Sequence, residues 1–112
     1  MFARMLRIQL KIDRIDEAVN IFKKSVVPQC KKQKGFKGAY FMTDSKTGEG
    51  VVITLWESEA AMLANERSRF FLDQVTKFMN LYTKAPIREA YEVAVKEPKE
   101  KGLALQGKGR QL

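Results

Sequence analysis

The chain has 112 residues, 45% of them hydrophobic, with 21 Lys or Arg against 13 Asp or Glu, a formal net charge of +8, one cysteine and no histidine. That length suits one domain with a modest core. The missing histidine removes the commonest general base and the commonest metal ligand, so a zinc site, a Ser-His-Asp or Cys-His centre and, with Cys30 alone, an internal disulfide are excluded.

No apolar run approaches the ~18 residues of a membrane span, and Arg4 and Arg7 interrupt the start where a signal peptide is apolar. A lone cysteine fits a reducing compartment, so the expected location is the cytoplasm.

Residues 2–12 read as a strand: Leu6, Ile8, Leu10 and Ile12 alternate with Arg7, Gln9 and Lys11. Asp13 is the expected cap of a helix with Ile15, Val19, Phe22 and Val26 at helical spacing and Ala18 and Cys30 on the same side. Pro28 should kink or shorten it, and Gly35 should end it after a lysine-rich last turn.

Phe36 to Thr43 is a second strand, "TDSKTGEG" is turn chemistry, and "VVITLW" (51–56) is a third, making a hairpin. Ser58 caps "EAAMLANE", and a second helical piece starts near Ser68 with Phe71, Val75, Phe78 and Tyr82 on one side. Pro86 opens a last strand, "PIREAYEVAV", in which Ile87, Tyr91, Val93 and Val95 alternate with Arg88, Glu92 and Ala94.

After Val95 the chain reads "KEPKEKGLALQGKGRQL", with five basic and two acidic residues. Residues 96–112 are expected to be a flexible basic tail and residues 1–95 the domain.

The β-α-β-β-α-β order implies a ferredoxin-like α+β sandwich, a four-stranded antiparallel sheet with both helices on one face. Val51–Trp56 barely alternates, so it reads as buried on both faces, although the helices cover only one. A second copy of the sheet would cover the other, with Arg7, Gln9, Arg88 and Glu92 expected to make that interface partly wet.

This order, with "VVITLWESEAAMLA" at the junction between strand three and the second helix, resembles the antibiotic biosynthesis monooxygenase family of dimeric α+β barrels over about residues 2–95. The resemblance implies a homodimer joined sheet to sheet. It implies either an oxygenase that needs no cofactor or a binding protein without catalysis, small-ligand-binding or stress-linked. The haem-degrading branch carries an asparagine, a tryptophan and a haem-binding histidine where this chain has Leu6, Asn65 and Val75, so haem turnover is not expected.

The branch that oxidises quinols and anthrones binds a planar aromatic ligand and stabilises its anion. In that role Asn65 would donate to the oxyanion, Arg67 or Arg88 would favour the anion, and Tyr82 would relay a proton. Trp56, Phe41, Phe71 and Phe78 would form the apolar walls, in a cavity between helices and sheet. The plainer readings are core packing for Trp56, Phe71 and Phe78, a capping or turn role for Asn65, and an interface or cross-strand ion pair for Arg88.

RNA-recognition modules share the element order, and "KGFKGAYFM" offers Lys34, Phe36, Tyr40 and Phe41. The stacking motif does not match and lies on strand two, so no specific nucleic-acid binding is expected. No metal, cofactor or membrane partner is called for.

Overall fold

A computed structural model describes residues 1–98, so most of the expected tail lies outside the described residues. Strands β1 (Phe2–Gln9), β2 (Phe36–Thr43), β3 (Glu49–Trp56) and β4 (Ile87–Glu92) form one antiparallel sheet in the order β2-β3-β1-β4. Helices α1 (Ile15–Ile21) and α2 (Val27–Cys30), joined through a π-helical stretch Phe22–Val26, pack on the same sheet face as α3 (Glu59–Glu66) and α4 (Arg69–Thr76). No helix of the described residues is long and apolar enough to cross a membrane.

The β2–β3 hairpin closes where the turn residues stand. Asp44 Oδ1 accepts from Lys46 N–H at 2.8 Å, and Gly48 takes φ +81° beneath the Leu10 carbonyl, where a Cβ would collide with backbone. Ser58 Oγ accepts from Ala61 N–H at 3.1 Å and Ser68 Oγ from Phe71 N–H at 3.2 Å, so two caps split the second helical region at "NERS".

The first helix differs from expectation. Asp13 lies in a 3₁₀ turn and makes no side-chain cap, and Val19 is exposed. Pro28 stops nothing: Val27 N–H reaches back to the Phe22 carbonyl in a wide turn, and Pro28 enters the first turn of α2, where its missing N–H costs little. The wide turn has a packing consequence. Phe22, Val26 and Cys30 recur every fourth residue, which drifts around an ordinary 3.6-residue helix; the π stretch counters that drift and keeps all three buried on the sheet.

The chain turns from α2 at Cys30, before Gly35, whose φ of +83° lets its carbonyl accept from Glu57 N–H at 2.7 Å. The core comprises Ile8, Leu10, Ile15, Ala18, Phe22, Val26, Cys30, Phe78 and Leu81.

β4 stops at Glu92, short of Val95, which is 85% exposed. Its facing also reverses the expectation. Arg88 pairs in register with Leu6 and approaches Glu66, so Arg88 and, by alternation, Glu92 are on the helix side. The open face instead carries Ile87, Glu89 and Tyr91 beside Met5, Arg7, Val51, Ile53, Leu55, Tyr40 and Met42. It is more apolar than the sequence suggested, and Arg7 Nε donates to Glu89 Oε1 at 2.9 Å across it.

Candidate functional site

Between the helices and the sheet lies a cavity of about 60 Å³, several times the space one water needs. Its walls are apolar: Leu6, Ile8 and Val52 from the sheet, Phe22, Val26 and Cys30 from the first helix, and Phe70, Phe71, Val75 and Phe78 from α4 and its exit. Four polar side chains join them, Arg4, Thr54, Gln74 and Tyr82.

Alternation along β1 puts Arg4 inward with Leu6 and Ile8, and the side chain is buried at 4% exposure. Its guanidinium carbon sits 5.4 Å from the Trp56 ring centre and 4.7 Å from that of Phe71. Its Nη1 is 3.5 Å from Glu66 Oε2, and Glu66 Oε1 is 3.6 Å from Arg88 Nη1. Arg4, Glu66 and Arg88 therefore form one cluster that meets the cavity through Arg4, with Phe71 beside both arginines. Burial lowers the Arg4 pKa from its ordinary value and Glu66 opposes that shift, while Nη1 is buried without a hydrogen-bond partner.

Tyr82 is held where the chain returns to the sheet. Lys11 N–H donates to the Leu81 carbonyl and Thr83 N–H to the Gln9 carbonyl, both at 2.8 Å. Burial raises the Tyr82 phenol pKa, so at neutral pH it stays a neutral O–H donor. Gln74 Oε1 accepts from Ser25 Oγ at 3.2 Å, and Ser25 Oγ accepts from Lys77 Nζ at 2.5 Å, a polar chain from surface to cavity wall. Burial pushes the Cys30 thiol up to about 11, so it is a protonated, unreactive wall group.

Of the residues singled out in the sequence, Phe71, Phe78 and Tyr82 line the cavity. Trp56 is fully buried, donates from Nε1 to Thr54 Oγ1 at 2.9 Å and backs Arg4. Phe41 packs on Phe22 at 5.2 Å between ring centres. Arg88 reaches the cavity end through Glu66 and Phe71, whereas Arg67 is exposed at the break after α3.

Asn65 is buried at 3% exposure, but not among the lining residues. Its Nδ2 donates to Gln33 Oε1 at 3.5 Å and its Oδ1 is unpartnered. Arg4, Glu66, Thr54 and Gln74 were missed; the signal for Arg4 was its even position in the run Phe2, Arg4, Leu6, Ile8. Phe36 and Phe41 face the helices, which leaves Tyr40 alone of those three aromatic residues on the open face where an RNA-recognition sheet would stack bases.

The antibiotic biosynthesis monooxygenase (ABM) family matches residues 1–81, and the chain belongs to that family. Rv0793 from Mycobacterium tuberculosis superposes with a TM-score of 0.71 at 14% identity, covering 86% of this chain and 97% of that one. A mutant of SnoaB, a cofactor-independent oxygenase from Streptomyces nogalater, gives 0.71 at 15% identity, covering 88% and 97%. NE2512, a protein of unknown function from Nitrosomonas europaea, gives 0.73 at 14% identity, covering 88% and 94%. At these identities the likeness establishes the fold. No curated protein matches the chain.

Proposed function

We propose that the protein is a cofactor-independent monooxygenase of a small aromatic substrate of the anthrone or quinol type, working in the cavity between helices and sheet. The observation that carries this reading is the cavity itself, apolar on nearly every side, with a few placed polar groups and an arginine cluster at one end. SnoaB, of the same fold, is a cofactor-independent oxygenase.

An anthrone shows what such a site must do. The substrate loses a proton from its methylene carbon to give an extended oxyanion, and that electron-rich anion reacts with dioxygen directly. The methylene becomes a carbonyl; one oxygen atom enters the product and the other leaves as water with the two hydrogens. At about 60 Å³ the cavity must widen to admit the whole flat body; the protein's share is then to bind it, favour the anion and move protons. Phe71 and Phe78 supply walls, the arginine cluster favours the anion, and Tyr82, a neutral phenol in the wall, relays a proton. With no histidine in the chain, deprotonation relies on substrate acidity enhanced by positive charge.

The open sheet face supports a homodimer. Tyr40 and Met42 on one edge strand and Ile87 and Tyr91 on the other are 61%, 49%, 55% and 52% exposed on it, flanking the half-buried Val51, Ile53, Leu55 and Met5, an apolar face that a second copy would cover. The proposed compartment is the cytoplasm.

Oxygen uptake tests the activity. An anthrone and a naphthohydroquinone, supplied without added metal or flavin, should each consume oxygen faster with the protein than without it. Tight binding of both without faster uptake would favour the second reading, a small-ligand-binding protein, which the same cavity supports.

A further inference from the structure

We propose that the polar end of the cavity is an anion site built on Arg4. Its ligand is a planar apolar molecule bearing one oxyanion, a carboxylate or an ionised phenol or enol, which takes the place of Glu66 at the Arg4 guanidinium. This deepens the reading of the cavity as a ligand site and rests on it.

Arg4 carries five N–H donors on a plane packed against two aromatic rings, at 5.4 Å from Trp56 and 4.7 Å from Phe71, so the group is preorganised. Its Nη1 is buried with no hydrogen-bond partner. The carboxylate nearest to it, on Glu66, stands 3.5 Å away, longer than the ~2.7–2.9 Å of a charge-assisted bond. A donor buried in this way beside a cavity is costly until an acceptor enters. The cavity wall next to it, Leu6, Val52 and Phe71 among others, suits a flat apolar body.

Arg4 and Arg88 share one carboxylate, Glu66, so the cluster sums to 1 + 1 − 1 = +1. The groups acting on Arg4 are Glu66 from α3, Arg88 from β4 and Cys30 from α2. Cys30, pushed up to about 11, stays neutral and adds no second anion. A monoanion cancels the excess charge. A neutral ligand can accept from Nη1 but leaves the excess charge in place, and a cation is repelled. Arg88, more than half exposed, is placed to keep Glu66 occupied once the ligand has displaced it from Arg4.

Titration calorimetry on the full chain at pH 7.5 tests this with 2-naphthoate, its neutral isostere 2-naphthamide, and 4-nitro-1-naphthol, whose absorbance reports ionisation. Naphthoate should bind roughly tenfold to a hundredfold more tightly than naphthamide, the range of one hydrogen bond to a charged group. Bound nitronaphthol should show the naphtholate spectrum. Tight naphthoate with un-ionised nitronaphthol would assign the site to carboxylates, and the converse to phenolates and enolates.

Arg4→Met should abolish the preference for naphthoate while leaving naphthamide binding within about twofold. Glu66→Gln should tighten naphthoate, because the internal competitor is gone. Melting temperatures establish that each variant is folded, and if either fails to fold, the wild-type comparison and the other variant decide.

Equal affinity of naphthoate and naphthamide, no binding by any of the three probes, a preference kept in Arg4→Met, or naphthoate weakened in folded Glu66→Gln would each overturn the proposal. Naphthoate selectivity without oxygen uptake on any substrate would defeat the oxygenase reading and leave the anion site standing. Uptake without anion preference would do the reverse.

Discussion

The guanidinium of Arg4 stacks on the ring of Phe71, 4.7 Å from its centre, with Arg88 at 6.0 Å from the same ring centre. One aromatic ring from α4 thus meets two positive side chains, from an inner and an edge strand, and Glu66 bridges them. The assembly ties α3 and α4 to β1 and β4, and Arg4 and Phe71 carry it into the cavity wall.

Breaking that bridge should show in stability. Glu66→Gln leaves Arg4 buried without a carboxylate. Removing one partner of a fully buried pair costs about 3–5 kcal/mol. Arg88 is half exposed, so the expected loss here is smaller, on the order of 2 kcal/mol by urea unfolding. A change under 0.5 kcal/mol would show that Glu66 does not neutralise Arg4.

Alkaline pH should destabilise the fold. Cys30 has its pKa raised from 9.0 to about 11 by burial, and Tyr82 is raised in the same direction from 10.0. Between the unfolded and folded values the native state binds more protons than the unfolded one, so stability is full below pH 9 and falls as pH rises toward 11. The Cys30 part is about 3 kcal/mol at about 1.4 kcal/mol per pH unit. Urea unfolding of wild type and Cys30→Ala at pH 8 and pH 10.5 checks this. The variant should start less stable, since it leaves a cavity, and lose less on going alkaline; parallel losses would count against Cys30.

Asn65→Ala separates two roles. A donor to a bound oxyanion would lose about 10²-fold in turnover on truncation, while a packing residue at a helix end would cost on the order of 1 kcal/mol of stability and leave activity alone. The second outcome is expected, because Asn65 is not among the residues lining the cavity. Oxygen uptake and melting temperature on the one variant distinguish them.

The open sheet face should set the assembly. Ile53, opposite Met5 and Tyr40 in the two strand pairings, is near its centre. Ile53→Glu should convert a dimer into a folded monomer, read by sedimentation equilibrium at tens of micromolar. A wild-type protein that is already monomeric there would remove the dimer from the account.

Much of the fold was legible because local signals agreed with the tertiary outcome. The doubly apolar run from Val51 marked the central β3, "TDSKTGEG" marked its hairpin, and Ser58 and Ser68 marked two helix starts. The site was less legible for a physical reason. Alternation says that neighbouring residues face opposite ways, not which way. On β4 both faces offer plausible choices, so Ile87 and Tyr91 looked inward until register with β1 set Arg88 against Leu6. Arg4 hid for the same reason: a charge before an apolar run reads as solvated, and its burial depends on Trp56, Phe71 and Glu66, all distant in sequence. The π stretch at Phe22–Val26 left only the four-residue spacing of Phe22, Val26 and Cys30 as its trace.

Oxygen chemistry in the cavity between helices and sheet stands or falls on filling that cavity. Val75, on α4 and in the wall, can be enlarged toward the empty space with limited overpacking cost. Oxygen uptake with an anthrone is then compared between wild type and Val75→Phe, with melting temperature as the control for folding. Wild type should take up oxygen faster than buffer, and a folded Val75→Phe protein should have lost at least about tenfold of that rate, the effect of roughly 1.4 kcal/mol on a barrier. A wild-type protein that leaves the anthrone untouched, or a filled one that oxidises it at the wild-type rate, would contradict oxygen chemistry in the cavity.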